Sequence, residues 1–286
     1  MKDKVLDFLQ EEIMHKLDRS SDVITANEIK DNLTTTFMGS EIIYFKEVDS
    51  TNNMAKKLAR EGCKEGTIVI ADKQSNGKGR LGRTWASPPN EGIWMSVVLR
   101  PALSPNKASQ LTLIAGLSMC EVIREITGLD AKIKWPNDIV INGKKVCGIL
   151  TEMSAQIEDI EYVVVGIGVN VNIEDFPSDL PYATSLAVEG KEKYSRKHII
   201  TAFLKLFEQD YKQYIKKQNL IFIKERYEKN CITLNKKVKL VSRETEIIAT
   251  SLGISSEGAI IVKLEDGTVQ EIFTGEVSVR GLYGYI

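Results

Sequence analysis

Lys134-Trp135-Pro136-Asn137-Asp138-Ile139-Val140-Ile141-Asn142-Gly143-Lys144-Lys145-Val146-Cys147-Gly148-Ile149-Leu150 is the stretch from which the fold can be read. Ile139 to Ile141 and Lys145 to Met153 flank Asn142-Gly143, the strongest two-residue hairpin signal, so an antiparallel element is implied. Pro136 pushes Trp135 into an extended conformation at the end of a short strand that reaches Lys134. Upstream, Ile42 to Phe45 reads as a strand, and Asp49-Ser50-Thr51 supplies N-cap chemistry for a helix that carries Met54, Ala55, Leu58 and Ala59 before Gly62 closes it. Thr67 to Ala71 and Ile93 to Leu99 read as strands on either side of a Gly- and Arg-rich loop from Lys73 to Thr84. Ser104-Pro105 is expected to cap a long helix that buries Leu111, Ile114, Leu117 and Val122 and ends at Gly128. Downstream, Tyr162 to Val171 is a nearly continuous β-branched run interrupted by Gly166 and Gly168, and Ser195 to Lys217 has strong helical periodicity. The mixture predicts one central sheet with helices packed against it.

Beyond Asn230 the pattern becomes short alternating strands near Val238–Val241, Ile247–Leu252, Ala259–Leu264 and Val269–Phe273. Turns at Ser256-Glu257-Gly258 and Glu265-Asp266-Gly267 punctuate them, which predicts a small β-barrel. Near the other end, Leu6, Leu9, Ile13 and Leu17 predict one amphipathic helix over Val5–Leu17, followed by a linker from Val23 to Gly39.

At 286 residues, with 43% apolar and 27% charged side chains, the chain is expected to fold as one large domain plus a small one. Thirty-eight basic residues against thirty-nine acidic ones give no bulk reason to bind nucleic acid or an anionic membrane, so any anion site must be local. The charges among the first twenty residues exclude a secretory leader. The longest uncharged runs fall short of the roughly 20 residues that span a bilayer, and a cytoplasmic protein is expected. Cys63, Cys120, Cys147 and Cys231 form no C-x-x-C pair, so neither a zinc site nor a disulfide framework is expected. With only His15 and His198 in the chain, His-dependent hydrolysis is disfavoured, and chemistry should rest on Lys, Arg, Asn and backbone groups.

Three segments could carry that chemistry. Gly77-Lys78-Gly79-Arg80-Leu81-Gly82-Arg83 packs three glycines and three cations into seven residues and leads to Trp85. It is either a cradle for phosphate or carboxylate or a solvated turn, and it is neither a P-loop nor a dinucleotide fingerprint. Lys134 could stand in a partly dry pocket and oppose developing negative charge, or be a surface lysine beside a buried tryptophan. Gly166-Ile167-Gly168-Val169-Asn170 allows close backbone approach, with Asn170 a candidate ligand contact or part of a bulged strand.

Together and in this order the segments resemble the biotin-protein ligase family from about Tyr44 to Arg280. The resemblance rests on Asp49-Ser50-Thr51-Asn52, on Gln74 with the loop to Trp85, on Lys134 to Asp138 and on Lys145 to Glu152. Gly166 to Asn170 and Gly275-Glu276-Val277-Ser278-Val279-Arg280 complete it. It implies an α+β fold, with a class II synthetase-like central mixed sheet, flanking helices and a C-terminal SH3-like β-barrel. The implied division is a helix and linker over 1–40, a biotin- and ATP-binding catalytic domain over 41–232, and the barrel over 233–286.

By the same carry-over, Ser50, Thr51, Asn52 and Gln74 would hold the biotin head group, and Gly79 and Arg80 would close over the ligand. Lys78 would add its charge beside the biotin. Lys134 would meet the biotin carboxylate and adenylate phosphate, with Lys134 and Arg80 as the catalytic pair. Arg83, Trp85 and Asn170 would bind the nucleotide, Trp85 by stacking near adenine. Biotin, ATP and Mg²⁺ would be substrates and ion, with no prosthetic group and no protein metal site. The partner would be a biotin carboxyl carrier domain, and a homodimer is plausible for the family.

Lys78 stands where the family usually has arginine, which keeps charge but loses bidentate geometry. Residues 1–40 hold five basic and eight acidic residues, too short and too acidic for the winged helix-turn-helix of repressor members. The rival readings are a lipoate or octanoate ligase, disfavoured by the Lys134–Asp138 run and the full arginine loop; a DNA-binding repressor with biotinyl-adenylate as corepressor, which a gel shift would revive; and a non-catalytic carrier-binding module.

Overall fold

Asn142 and Gly143 take φ values of 49° and 79°, the left-handed pair that a tight hairpin turn requires. They join β5 (Asp138–Ile141) to β6 (Lys144–Ala155) in antiparallel register, with Ile141 opposite Lys144. The structure is a computed structural model, and it describes residues 22, 24–156, 159–241, 246–273, 278–281 and 285. The helix expected over Val5–Leu17 and the Gly275-Glu276-Val277 part of the last motif lie outside them.

Around the hairpin the chain builds a seven-stranded sheet. Its other strands are β1 (Ile42–Val48), β2 (Ile68–Gln74), β3 (Gly92–Leu99), β4 (Lys132–Lys134) and β7 (Ile160–Asn170). The order is β1-β2-β3-β7-β6-β5-β4, with β1 and β2 parallel and the remaining pairs antiparallel. The sheet is therefore mixed, as expected. β3 is buried at every position, which accounts for its continuous apolar run.

Helices cover both faces. One face carries α2 (Thr51–Arg60), whose Ala55 and Ala59 meet Val69, Val98, Tyr162 and Val164. Arg100 donates to the carbonyls of Ala59 and Cys63 and so closes the C-terminal end of that helix. The other face carries α3 (Gln110–Thr127), α5 (Arg196–Lys217) and α6 (Ile221–Asn230). α3 is buried around most of its circumference because it lies between the sheet and α5.

Local corrections are informative. Ser104-Pro105 opens its own 3-10 turn over Pro105–Lys107, closed by Lys107 and Ala108 N–H bonds to Ser104 and Pro105, before α3 starts at Gln110. The stretch read as linker holds a short helix, α1 (Ala26–Asp31), capped by the Thr25 hydroxyl, which accepts from the Glu28 N–H at 3.2 Å. Both α1 and α4 (Leu186–Gly190) are too short to display a helical period. α6 buries Ile223, Tyr227 and Asn230 amid charged residues, a stripe too thin to read. The segment just before β1 is tied down by Glu208 on α5, whose carboxylate accepts from the N–H groups of Thr36, Phe37 and Met38 at 2.9–3.0 Å.

After α6 the chain forms β8 (Lys237–Val241), β9 (Glu246–Ile254), β10 (Ile260–Leu264), β11 (Val269–Ile272) and β12 (Ser278–Gly281). They form an antiparallel sheet in the order β11-β10-β9-β8-β12. The fifth strand was not expected from the alternation. Trp135 locks this small sheet to the large one: its backbone N–H donates to Thr233 Oγ1 at 3.0 Å and its indole N–H to the Gly258 carbonyl at 3.2 Å. The Trp135–Pro136 peptide is cis.

Candidate ligand-binding site

The N-terminus of α2 points at the middle of the sheet, and the residues there form a chain of hydrogen bonds. The first helical N–H, from Thr51, donates to Gln74 Oε1 at 2.8 Å, and the Thr51 hydroxyl donates to the same oxygen at 3.1 Å. Gln74 is thereby oriented, and its amide donates to Ser87 Oγ at 2.8 Å, which in turn donates to the Trp85 carbonyl at 3.1 Å. Ser96 Oγ lies 2.8 Å from Thr51 Oγ1 and 2.6 Å from Asn52 Oδ1 and shares one proton between them. Asn52 uses both amide protons, on the Leu150 carbonyl at 3.3 Å and on Glu152 Oε2 at 2.8 Å. Burial pushes the Glu152 pKa up, but the bonds from Lys56 and Asn52 outweigh it and hold the group ionised below its ordinary range. Ser50, 1% exposed, is the exception: its hydroxyl leaves the helix uncapped and lines the cavity.

Glycines make the floor. A Cβ at Gly166 would lie 2.0 Å from Asn52 Oδ1, so only glycine lets the asparagine seat against β7. Gly148 and Gly168 are direct cross-strand partners. Cβ atoms there would lie 2.9 and 2.8 Å from Trp85 ring atoms. The indole therefore rests on a bare patch of sheet, with Lys145 Nζ 5.0 Å from its ring and its own N–H unpartnered.

The roof is the Gly-rich loop, folded back through bonds from the Gly79 N–H to the Arg83 carbonyl and from the Trp85 N–H to the Gly77 carbonyl. Leu81 at its tip has φ 56° and is 78% exposed. Two side chains tether the loop to the body: Lys78 Nζ to Asn53 Oδ1 at 2.6 Å and Arg80 to Asn137 Oδ1 at 2.5 Å. Burial lowers the Arg80 pKa, with Arg83 adding to the shift and Asp138 opposing it.

Ser50, Thr51, Asn52, Gln74, Lys78, Gly79, Arg80 and Trp85 thus line one cavity, which encloses about 40 Å³. Lys134, Arg83 and Asn170 are not among its lining residues. Lys134 stands beside it at the end of β4, its pKa brought down to about 8 by burial first, opposed by Asp138, with Lys145, Arg280 and Arg83 adding to the shift. Arg83 is exposed. Asn170 is buried at the end of β7 and donates to the Thr184 carbonyl at 3.0 Å.

Sequence reasoning missed Lys145, Asn137 and Gly148, which line the cavity, although all three lie in motifs it quoted. Ser96 and Ser87 carried no signal, since one sits inside an apolar strand and the other after the loop. A second recess, of about 640 Å³, is lined by Asp22, Asn90, Glu91, Asn172, Glu174, Asp175, Lys193 and Arg196. Its carboxylates make it unsuited to an anion. Among the described residues no cluster of three His, Cys, Asp or Glu could hold a metal ion, no helix is long and apolar enough to cross a membrane, and the four cysteines are unpaired.

A hydrogen-bonded amide floor under a cationic Gly-rich roof, built on a mixed sheet, defines a class. Residues 44–170 match the model of the Biotin/lipoate A/B protein ligase family, and residues 233–280 match the Biotin protein ligase C terminal domain. The chain is 36% identical over 266 residues to the bifunctional ligase/repressor BirA of Bacillus subtilis, covering 92% of this chain and 81% of that protein. It is 42% identical over 125 residues to the biotin--[acetyl-CoA-carboxylase] ligase of Paracoccus denitrificans, covering 43% of this chain and 51% of the other. Among solved structures it resembles the biotin protein ligase from Aquifex aeolicus in complex with biotin and ATP, at a TM-score of 0.74 and 34% identity over 85% of this chain and 99% of that one. The chain belongs to the biotin protein ligase family.

Proposed function

We propose that this chain activates biotin with ATP and transfers the biotinyl group to a lysine of a biotin carboxyl carrier domain. The observation that carries the reading is the cavity itself, where a free Ser50 hydroxyl and the oriented Thr51–Gln74 pair face a roof bearing Lys78 and Arg80. The hydroxyl and amide groups suit a polar heterocyclic head group, and the cations, with Lys134 nearby, suit its carboxylate and a phosphate.

In the proposed sequence a biotin carboxylate oxygen attacks the α-phosphorus of ATP, and pyrophosphate leaves. The mixed anhydride stays under the loop, where exclusion of water limits its hydrolysis. The carrier lysine amine then attacks the acyl carbon, forming an amide and releasing AMP. Arg80, Lys78 and Lys134 offset charge at phosphorus, while Arg83, Trp85 and Asn170 serve the nucleotide. Magnesium would accompany the triphosphate, held mainly through phosphate oxygens, as is usual for this ion. No residue of the chain need become covalently attached.

The reading also includes a cytoplasmic setting, the three-part division at residues 40 and 232, and a homodimer. The ligase function alone is proposed, without the repressor activity named for the Bacillus subtilis relative. The test is ATP–pyrophosphate exchange with magnesium and biotin, lipoate, octanoate or no acid. Exchange with biotin alone is expected, and exchange with lipoate alone, or with none, overturns the assignment. A specific gel shift with biotin and ATP would restore the repressor reading.

A further inference from the structure

Lys134 and Asp138 are directly opposite in the β4–β5 ladder, an arrangement in which a cation and a carboxylate normally pair. Here they do not. Asp138 pairs with Lys145 at 2.6 Å, accepts from the Asn137 amide at 3.0 Å, and accepts from the hydroxyl of Tyr285 near the end of the chain. Lys134 Nζ instead lies 3.7 Å from the centroid of the Tyr285 ring, and that ring stacks on Tyr182 at 5.7 Å and 22°. Among the described residues Lys134 has no ion pair or hydrogen bond of its own through Nζ. An ammonium over an aromatic face keeps its charge without being neutralised.

We propose that Tyr285 is a positioning residue for Lys134: its ring caps the ammonium and fixes its direction, while its hydroxyl, together with Lys145, keeps Asp138 occupied, so that the charge of Lys134 is left for an anionic ligand. The proposal rests on the reading that Lys134 meets a carboxylate and a phosphate. It adds that Tyr285 completes the site, because its ring meets one member of the strand pair and its hydroxyl the other. The charged and titratable groups facing Lys134 are Asp138 on β5, Lys145 on β6, Arg280 on β12, Arg83 on the loop and Tyr285 itself. Loss of the ring removes the contact over which the ammonium sits, and loss of the hydroxyl frees Asp138 to turn to Lys134. Freeing Asp138 raises the pH at which Lys134 loses its proton, and losing the ring contact lowers it.

The experiment is competitive acetylation of the full-length protein across pH, with Lys134 reactivity read by mass spectrometry, for wild type, Y285L and Y285F. It is run beside the pH profile of biotin-dependent pyrophosphate exchange. In wild type the Lys134 midpoint is expected near 8. Y285F, which keeps the ring and frees Asp138, should move it up by about half a pH unit, and Y285L, which also loses the ring contact, should leave it lower than Y285F does. The alkaline limb of exchange should move with it, while the plateau falls about tenfold because the ammonium is no longer held in place.

An unmoved Lys134 midpoint in Y285F, with melting intact, overturns the proposal. A midpoint as high in Y285L as in Y285F means that the ring does not hold the ammonium, and it overturns the proposal as well. The labelling needs no turnover. Wild-type protein that exchanges with no acid would therefore remove the biotin reading and leave the clamp to be judged by the Lys134 midpoint alone.

Discussion

The floor and the roof of the cavity are built on opposite principles. In the floor, Thr51, Asn52 and Gln74 have their hydrogen bonds committed to one another, to Ser87, Ser96 and Glu152, and to the sheet backbone. The roof carries three cations but is tethered to the body through Lys78–Asn53 and Arg80–Asn137. It also leaves Leu81 exposed in the left-handed region, where a non-glycine residue is strained by about 1–2 kcal/mol. The floor can fix the shape and polarity of what binds. The roof can supply charge and move.

Four substitutions test whether floor and roof differ in this way. The largest effect is expected in the framework far from the cavity. Glu208→Ala leaves the N–H groups of Thr36, Phe37 and Met38 without their acceptor, which should destabilise the fold by about 3 kcal/mol in denaturant titration while leaving exchange per folded molecule unchanged. The pH dependence has a definite sign. Burial pushes the Glu208 pKa up, but the bonds from Lys212, Phe37, Met38 and Thr36 outweigh it and bring it to about 2, below the usual value of about 4.3. The folded-state pKa is depressed, so the stabilisation is complete above about pH 5 and is lost as pH falls toward 2. Wild type should lose stability across that window faster than Glu208→Gln.

Next in size is Gly166→Ala, which drives a methyl into Asn52 Oδ1. Displacing the floor by about 1 Å should lower biotin-dependent exchange about 100-fold, and differential scanning calorimetry should report a loss of about 1–3 kcal/mol. If exchange survives, the floor does not read the substrate. Arg80→Ala removes a roof tether and is expected to slow exchange about tenfold with stability within about 0.5 kcal/mol of wild type. A stability loss as large as that of Gly166→Ala would mean that the roof belongs to the framework.

The smallest effect belongs to Lys78→Arg, which restores a planar donor pair. Adenylate release, followed by rapid filtration, should slow by about twofold. Faster release would show that the Lys78–Asn53 bond matters more than a planar donor pair.

The legibility of the sequence divides along the same line. The mixed sheet was readable because Asn142-Gly143 forces one turn chemistry and because β-branched runs bury on both faces. The cavity residues were readable as types in order, and eight of the named candidates line it together. What could not be read was the connection between them. Ser96 looks like any other position of β3, yet its hydroxyl bridges Thr51 and Asn52. Lys145 looks like the polar start of a strand, yet it lines the cavity and pairs with Asp138. Tyr285 is distant in sequence from both lysines and had no pattern to mark it. Hydrogen-bond partners across sheets depend on register and on which face a residue occupies, and neither is encoded by spacing within one segment. α1 and α4 were missed for the simpler reason that fewer than two turns give no period.

A cavity of about 40 Å³ is far smaller than the roughly 300 Å³ at the lower end of small-molecule pockets, so a ligand of that class needs the covering loop to give way. That makes one gate serve two clocks. Under the proposed reaction, opening of the empty site sets how fast a ligand can be admitted, and opening of the loaded site sets how long the adenylate survives before solvent reaches it. A substitution that loosens the gate equally in the empty and the loaded protein would raise the apparent on-rate and shorten the intermediate's lifetime by the same factor. The two quantities, measured on a series of loop variants, should fall on a single inverse line.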